Sequence, residues 1–325
     1  MRVVVIGAGS IGERHIRALS RLEETSVSLV DPREERARQI ADRYRCVGWF
    51  TDLQKVPFES FDAAVIATPA DSHVKIAALC VDRGLHVLIE KPLSASLAGI
   101  DGLIARCEEK RLTAAVGYVL RFQPAVMKLQ ELVHGAALGQ LLSVQSVCTH
   151  YLPDSRPDYR QAYYASANAA AGVILDLSHE LNYLEWAFGE LRLDASRRAP
   201  VPALHIGGEA IADLWLSSHA GVLAQIHLHA ADRDNRRECH IVGTHATAAA
   251  NLLTGEILVT HAAGKTDRFQ YPTDRDACHL DQARDFIDAI RQDRPPRCTA
   301  TEALGTLRVC LQAMQSPMLE PAGPG

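Results

Sequence analysis

"RVVVIGAGSIGERHIRALSRL" occupies residues 2–22. An uninterrupted apolar run, Val3 to Ile6, ends at Gly7, glycine returns at 9 and 12, and from Ile11 onward apolar residues recur at helical spacing. The pattern predicts a strand buried on both faces, a tight turn and a helix. In that setting each glycine of G-x-G-x-x-G has its own task. Gly7 permits the turn, Gly9 lets backbone N–H groups approach a pyrophosphate, and Gly12 lets helix and strand pack closely. Residues Gly7, Gly9, Ser10, Ile11 and Gly12 are therefore expected to hold a dinucleotide. Asp31 closes the next apolar run, nineteen residues after Gly12, where a carboxylate can accept hydrogen bonds from an adenosine ribose diol. It would repel a 2′-phosphate, which favours NAD. Arg33 and Arg36 follow closely and leave NADP open. The alternative is an ordinary glycine turn with an aspartate capping a helix.

Outward from this stretch the alternation continues. "SVSLVD" (26–31), "DAAVIATP" (62–69), "HVLIEKP" (86–92) and "TAAVGY" (113–118) read as further buried strands, separated by helical patterns at 33–44, 71–84 and 96–110. Strand, helix, strand in repetition predicts a parallel sheet with right-handed crossovers, a doubly wound Rossmann domain over residues 1–120. Beyond "GYVLRFQP" (117–124) apolar residues take every second place, as in "LLSVQSVCTHY" (141–151), "EAIADLWLSS" (209–218) and "GVLAQIHLHA" (221–230). That alternation predicts a second, α+β domain over 121–325 with a large, mainly antiparallel open sheet covered on one face. A helix is expected from about Gly172 to Phe188, and two more over 279–292 and 300–315.

With 325 residues and 47% hydrophobic side chains, the chain can fill two cores. A net charge of −5 supplies no electrostatic footprint for nucleic acid or a membrane surface, which leaves a small molecule as the expected partner. The eight cysteines form no C-x-x-C pair and are read as buried thiols rather than zinc ligands or disulfides. His227 and His229 share a strand face without a companion cluster, so a polar face or subunit contact is expected there, not a metal. The opening run enters a strand rather than a signal peptide, and no apolar stretch approaches the roughly 20 residues that span a bilayer. A cytoplasmic location is expected.

Three motifs carry candidate chemistry. In "ATPADSH" (67–73), Thr68 and Pro69 fall at the carboxyl rim of the sheet, where open α/β folds bind ligands, while Asp71 is expected to cap the following helix; His73 stays unassigned. "EKP" (90–92) follows a strand at the same rim. Glu90 and Lys91 are placed beside the cofactor, with the Lys91 amine toward the nicotinamide end and Pro92 fixing the turn. In "DLSHELNYL" (176–184), Asp176 and His179 stand three apart, the spacing of one helix face, where a histidine can take an alcohol proton near neutral pH and a carboxylate can orient it. Arg121, and Arg160 and Tyr163 within "DYRQAYYA" (158–165), are candidate substrate contacts.

Taken together, "GAGSIG", "ATPADSH", "EKP", "GYVLRFQP" and "DLSHELNYL" resemble the glucose–fructose oxidoreductase, inositol dehydrogenase and rhizopine-catabolism family of nicotinamide-dependent sugar oxidoreductases, known as Gfo/Idh/MocA. The resemblance spans essentially the whole chain. It implies that Lys91 and His179 act on a substrate hydroxyl with Asp176 beside them. It further implies a carbohydrate-like substrate and a homodimer or homotetramer formed through the second sheet. Many relatives have four residues from Asp to His where this chain has three, and Asn182 stands where aspartate is frequent. The expected reaction is reversible oxidation of a secondary alcohol. A cofactor-gated regulator of the same fold, or a reductase of C=C or C=N bonds, are the alternatives.

Overall fold

The computed structural model describes residues 1–157, 159, 172–262 and 264–320. They form two compact units, Met1–Phe122 with Asp274–Leu304, and Gln123–Thr273 with Gly305–Gly325.

In the first unit six parallel strands, β1 (Arg2–Ile6), β2 (Ser26–Val30), β3 (Gly48–Phe50), β4 (Ala63–Ile66), β5 (His86–Ile89) and β6 (Ala114–Val116), lie in the order β3-β2-β1-β4-β5-β6. This is the doubly wound order whose reversal between β1 and β4 opens a ligand crevice at the carboxyl ends of the strands. Val3, Val5, Leu29, Ala63 and Val65 pack with Ile16 and Leu19 from helix Ser10–Leu19 into one core. The edge strand β3 has three residues, too few to show a period, and the sequence pattern passes over it.

Helix Arg275–Arg291 belongs to this unit. Its Ala283, Phe286 and Ile287 enter the same core, and the Arg17 guanidinium pairs with Asp276. The boundary at 120 expected from the sequence assigns this helix to the second domain. The apolar face that closes the first core comes instead from a distant segment that begins at Asp274, which local patterning cannot reveal.

The second unit holds β7 (Leu141–Tyr151), β8 (Leu191–Ala199), β9 (Ile211–Ser218), β10 (Leu223–His229), β11 (Ala231–Gly243), β12 (Ala246–Asn251), β13 (Glu256–His261) and β14 (Thr266–Gln270). Their order is β14-β13-β12-β11-β7-β10-β9-β8, antiparallel except for the β7–β10 pair. Strict alternation sorts the faces. Leu216, Ala224, Val144, Ile241, Ala248 and Val259 form a buried row across the sheet, while their neighbours Trp215, Gln145, His240 and Ala249 on the other face are exposed. All eight cysteines are free thiols, seven of them buried. Among the described residues, no helix is long and apolar enough to cross a membrane, and no side-chain group could hold a metal ion.

Candidate active site

The cradle after β1 needs its glycines. Gly7 has φ +94°, and a Cβ there would lie 2.6 Å from the Ala67 carbonyl oxygen. A Cβ on Gly12 would lie 1.8 Å from the Gly7 oxygen, so helix and turn meet only because that residue has no side chain. A Cβ on Gly9 would meet nothing within 4 Å, so the space beside it is open. Gly9 also begins helix Ser10–Leu19 without a side-chain cap, leaving the first-turn amides open to an anion. These residues fit the pyrophosphate of a dinucleotide.

Asp31 sits at the end of β2, 2% exposed, and accepts the Ala8 amide at 2.9 Å and the Arg33 amide at 3.0 Å. The Arg33 guanidinium forks onto both carboxylate oxygens at 2.8 and 2.9 Å. Burial pushes the Asp31 carboxyl up, and the Arg33 guanidinium with the two amides outweighs it, so the group stays ionised below the usual range. Arg36 turns away, bonding the Ala8 carbonyl and Glu13.

At the rim of β4, Thr68 is half-buried and shares a 2.7 Å hydrogen bond with Ser72, and Pro69 is exposed. Asp71 does not cap a helix: it lies in a short turn, Ala70–Ser72, ahead of helix His73–Asp82. His73 is 1% exposed, with Nε2 2.8 Å from the Thr68 oxygen and Nδ1 3.0 Å from the Pro92 oxygen.

Lys91, half-buried, follows β5, and its peptide bond to Pro92 is cis. Glu90, expected beside the cofactor, points inward instead. Its carboxylate is 2.6 Å from His15 Nε2 and accepts the Lys91 amide at 3.1 Å, and a Cβ on Gly117 would lie 2.7 Å from it. Burial raises the Glu90 carboxyl, and His15 leads the contacts that bring it below its ordinary value. His279 completes this cluster with its ring 5.6 Å from His15, edge to face. Burial, reinforced by His15, pushes His279 down to about 3, so it is neutral at physiological pH.

Arg121 is 1% exposed and donates to the Arg297 oxygen at 2.8 Å and to Glu302 at 2.9 Å. It ties a turn after β6 to the Arg297–Glu302 segment, and a substrate-binding role for it is withdrawn.

In the second unit the expected helix over 172–188 is broken. Helix Val173–Asp176 ends, Leu177 has φ −99° and ψ 21°, and a new helix runs His179–Phe188. The Ser178 hydroxyl donates to the Leu175 oxygen at 2.9 Å, taking the carbonyl that a continuing helix would offer to the His179 amide. Asp176 and His179 therefore do not share one helix face. Asp176 is instead 3.6 Å from the Arg156 guanidinium. Half-buried His179 opens its helix, and the next residue, Glu180, is 0% exposed. Glu180 accepts two N–H groups of Arg237, one of them at 2.8 Å, and the Ser146 hydroxyl at 3.1 Å.

Asn182 donates to Thr306 at 3.0 Å and is part of the packing. His227 pairs with Asp213 at 2.7 Å, with its ring 5.9 Å from that of His229. Arg160 and Tyr163 lie outside the described residues. Glu180, Arg237, His15 and His279 went unnoticed in the sequence because a lone charged or imidazole residue carries no signal until a distant partner is known.

A dinucleotide cradle at the switch point of a doubly wound sheet, joined to an open-sheet α+β unit, defines a nicotinamide-dependent oxidoreductase. The family model described as "Oxidoreductase family, NAD-binding Rossmann fold" matches residues 1–118, and "GFO/IDH/MocA C-terminal domain" matches residues 126–249. The chain belongs to this family. It is 26% identical to the UDP-N-acetylglucosamine 3-dehydrogenase of Acidithiobacillus ferrooxidans, over 96% of either chain. It is 30% identical to an inositol 2-dehydrogenase of Saccharopolyspora erythraea, over 62% of this chain and 57% of that one. The structure of a levoglucosan dehydrogenase with NADH and levoglucosan superposes with TM-score 0.86 at 16% identity, over 97% of both chains.

Proposed function

We propose that this chain is an NAD-dependent dehydrogenase that interconverts a secondary alcohol and a ketone on a sugar, sugar acid, nucleotide sugar or inositol. The observation that carries the reading is the open, uncapped cradle at Gly9 with ionised Asp31 beside it, in a chain that matches both domain models of a sugar-oxidoreductase family. The named relatives act on a nucleotide sugar and on inositol, which supports a polyol-like substrate. Gly7, Gly9, Ser10, Ile11, Gly12, Asp31, Thr68 and Pro69 would hold the cofactor. NADP is the second choice, because the Arg33 guanidinium lies on Asp31.

His179 takes the hydroxyl proton, and Lys91 holds the same oxygen and offsets the negative charge that develops on it. When bound, the nicotinamide supplies the hydride acceptor for the carbinol hydrogen. Asp176 lies 3.6 Å from the Arg156 guanidinium. Arg160 and Tyr163 are substrate contacts on the sequence alone. A homodimer or homotetramer would form through the exposed sheet face that carries Trp215 and His240, and a cytoplasmic location suits this chemistry.

The test screens NAD⁺ and NADP⁺ against UDP-N-acetylglucosamine, myo-inositol, sugars and sugar acids, then measures Lys91→Ala and His179→Ala on the substrate found. Each variant should bind cofactor normally and lose turnover by about 10²–10⁴-fold, the range of general acid–base groups. Near-normal rates from both variants would refute the assignment.

A further inference from the structure

Lys91 is the only residue of its turn whose side chain the proposed reaction uses, yet both of its neighbours are held from elsewhere in the first unit. On one side the Glu90 carboxylate bonds the Lys91 amide at 3.1 Å and is itself 2.6 Å from His15 Nε2, on the helix that begins at the phosphate cradle. On the other side the Pro92 oxygen is 3.0 Å from Nδ1 of His73, on the helix that follows Thr68 and Pro69. His15 is 0% and His73 1% exposed, so neither imidazole is available to substrate. We infer that His15 and His73 are positioning residues that hold the Lys91 backbone from both sides, His15 donating through Nε2–H to Glu90 and His73 through the contact of its Nδ1 with the Pro92 carbonyl, its Nε2 facing the Thr68 carbonyl at 2.8 Å. The two clamps start from the two loops assigned to the cofactor, so the amine is set by the same elements that would hold the nucleotide. The inference rests on the assignment of Lys91 to the substrate hydroxyl.

The contacts that reach the Lys91 turn lie on opposite nitrogens, Nε2 of His15 and Nδ1 of His73, and this makes the idea testable apart from packing. A glutamine amide nitrogen stands near where Nε2 was, and an asparagine nitrogen near Nδ1. His15→Gln and His73→Asn therefore keep the clamps, whereas His15→Asn and His73→Gln lose them. The readout is trace acetylation of Lys91 by acetic anhydride, read by peptide mass spectrometry against Lys110 and Lys265 as internal standards. It needs no turnover, so a failed dehydrogenase assignment would not obscure it.

The first pair should leave the Lys91 rate within about twofold of the parent. The second pair should shift it about fivefold, the factor that one ordinary hydrogen bond represents. Equal behaviour within each pair, changed or unchanged, overturns the inference. If the clamp-breaking variants do not fold, a shifted Lys91 rate in His15→Gln or His73→Asn overturns it on its own.

Discussion

The backbone at Lys91 and the first turn of the His179 helix are each anchored by a buried glutamate next in sequence, but the two carboxylates have different partners. Glu90 meets an imidazole, His15, with a second imidazole, His279, behind it. Glu180 meets a guanidinium, that of Arg237, whose affinity for its proton burial lowers and the Glu180 carboxylate more than restores. A guanidinium stays charged at every pH a protein survives, and an imidazole does not. The device in the second unit is therefore a fixed-charge anchor, and the one in the first has behind it an imidazole, His279, that burial holds neutral.

The contrast is broken most directly at Arg237. Glu180 is fully buried, so Arg237→Ala strands a carboxylate inside the second unit, and the expected loss is about 3–5 kcal/mol. Urea unfolding measures it, with hydrogen exchange of helix His179–Phe188 as the local probe. The double variant Glu180→Leu, Arg237→Met should recover most of that loss, because no unpaired charge remains. Equal losses in the single and double variants would mean that Arg237 acts through packing alone.

Proton sensitivity in the first unit is the next difference in size. His279 titrates near 3 in the fold and near 6.5 unfolded, so between those values the unfolded chain binds the extra proton. Stability is then full above about pH 6.5 and falls as pH drops, by at most about 1.4 kcal/mol per pH unit from this group. Glu90 and Asp31, both lowered, are lost only at more acid pH, below the ordinary carboxylate range. His73 and His150 are also lowered, so the measurement is a difference: melting curves of the parent and of His279→Phe from pH 7 to 5.5. The variant should show the shallower pH dependence. Parallel curves would place the proton uptake on other groups.

How far the sequence reveals these devices depends on their range. The doubly wound sheet and the alternating second sheet were legible because period two and period 3.6 are local patterns, and β7 follows its predicted bounds at 141 and 151. The close turn at Gly7 and Gly12 and the place of Asp31 just after β2 were legible because a strand–turn–helix of this kind fixes residue types at fixed offsets. The break at Leu177–Ser178 was not, since one hydroxyl capturing the Leu175 carbonyl outweighed a continuous helical pattern. Glu90 was read as facing the cofactor because strand-end position predicts the rim but not the rotamer. His15 lies 75 residues from Glu90, and Arg237 lies 57 from Glu180, separations over which no spacing rule operates.

The smallest effect is expected where a clamp of the same chemistry is exposed. Arg33 forks onto Asp31 as fully as Arg237 onto Glu180, but its side chain is 64% exposed. Water screens that pair, and Asp31 keeps the Ala8 amide when the guanidinium goes, so Arg33→Ala should cost no more than about 1 kcal/mol in the same urea titration. A loss approaching that of Arg237→Ala would show that burial of the guanidinium does not separate the two pairs. The variant also bears on the cofactor. Turnover with NADP⁺ should fall relative to turnover with NAD⁺, because a 2′-phosphate beside Asp31 would lose the Arg33 guanidinium, whereas Asp31 is the residue proposed to hold the ribose diol.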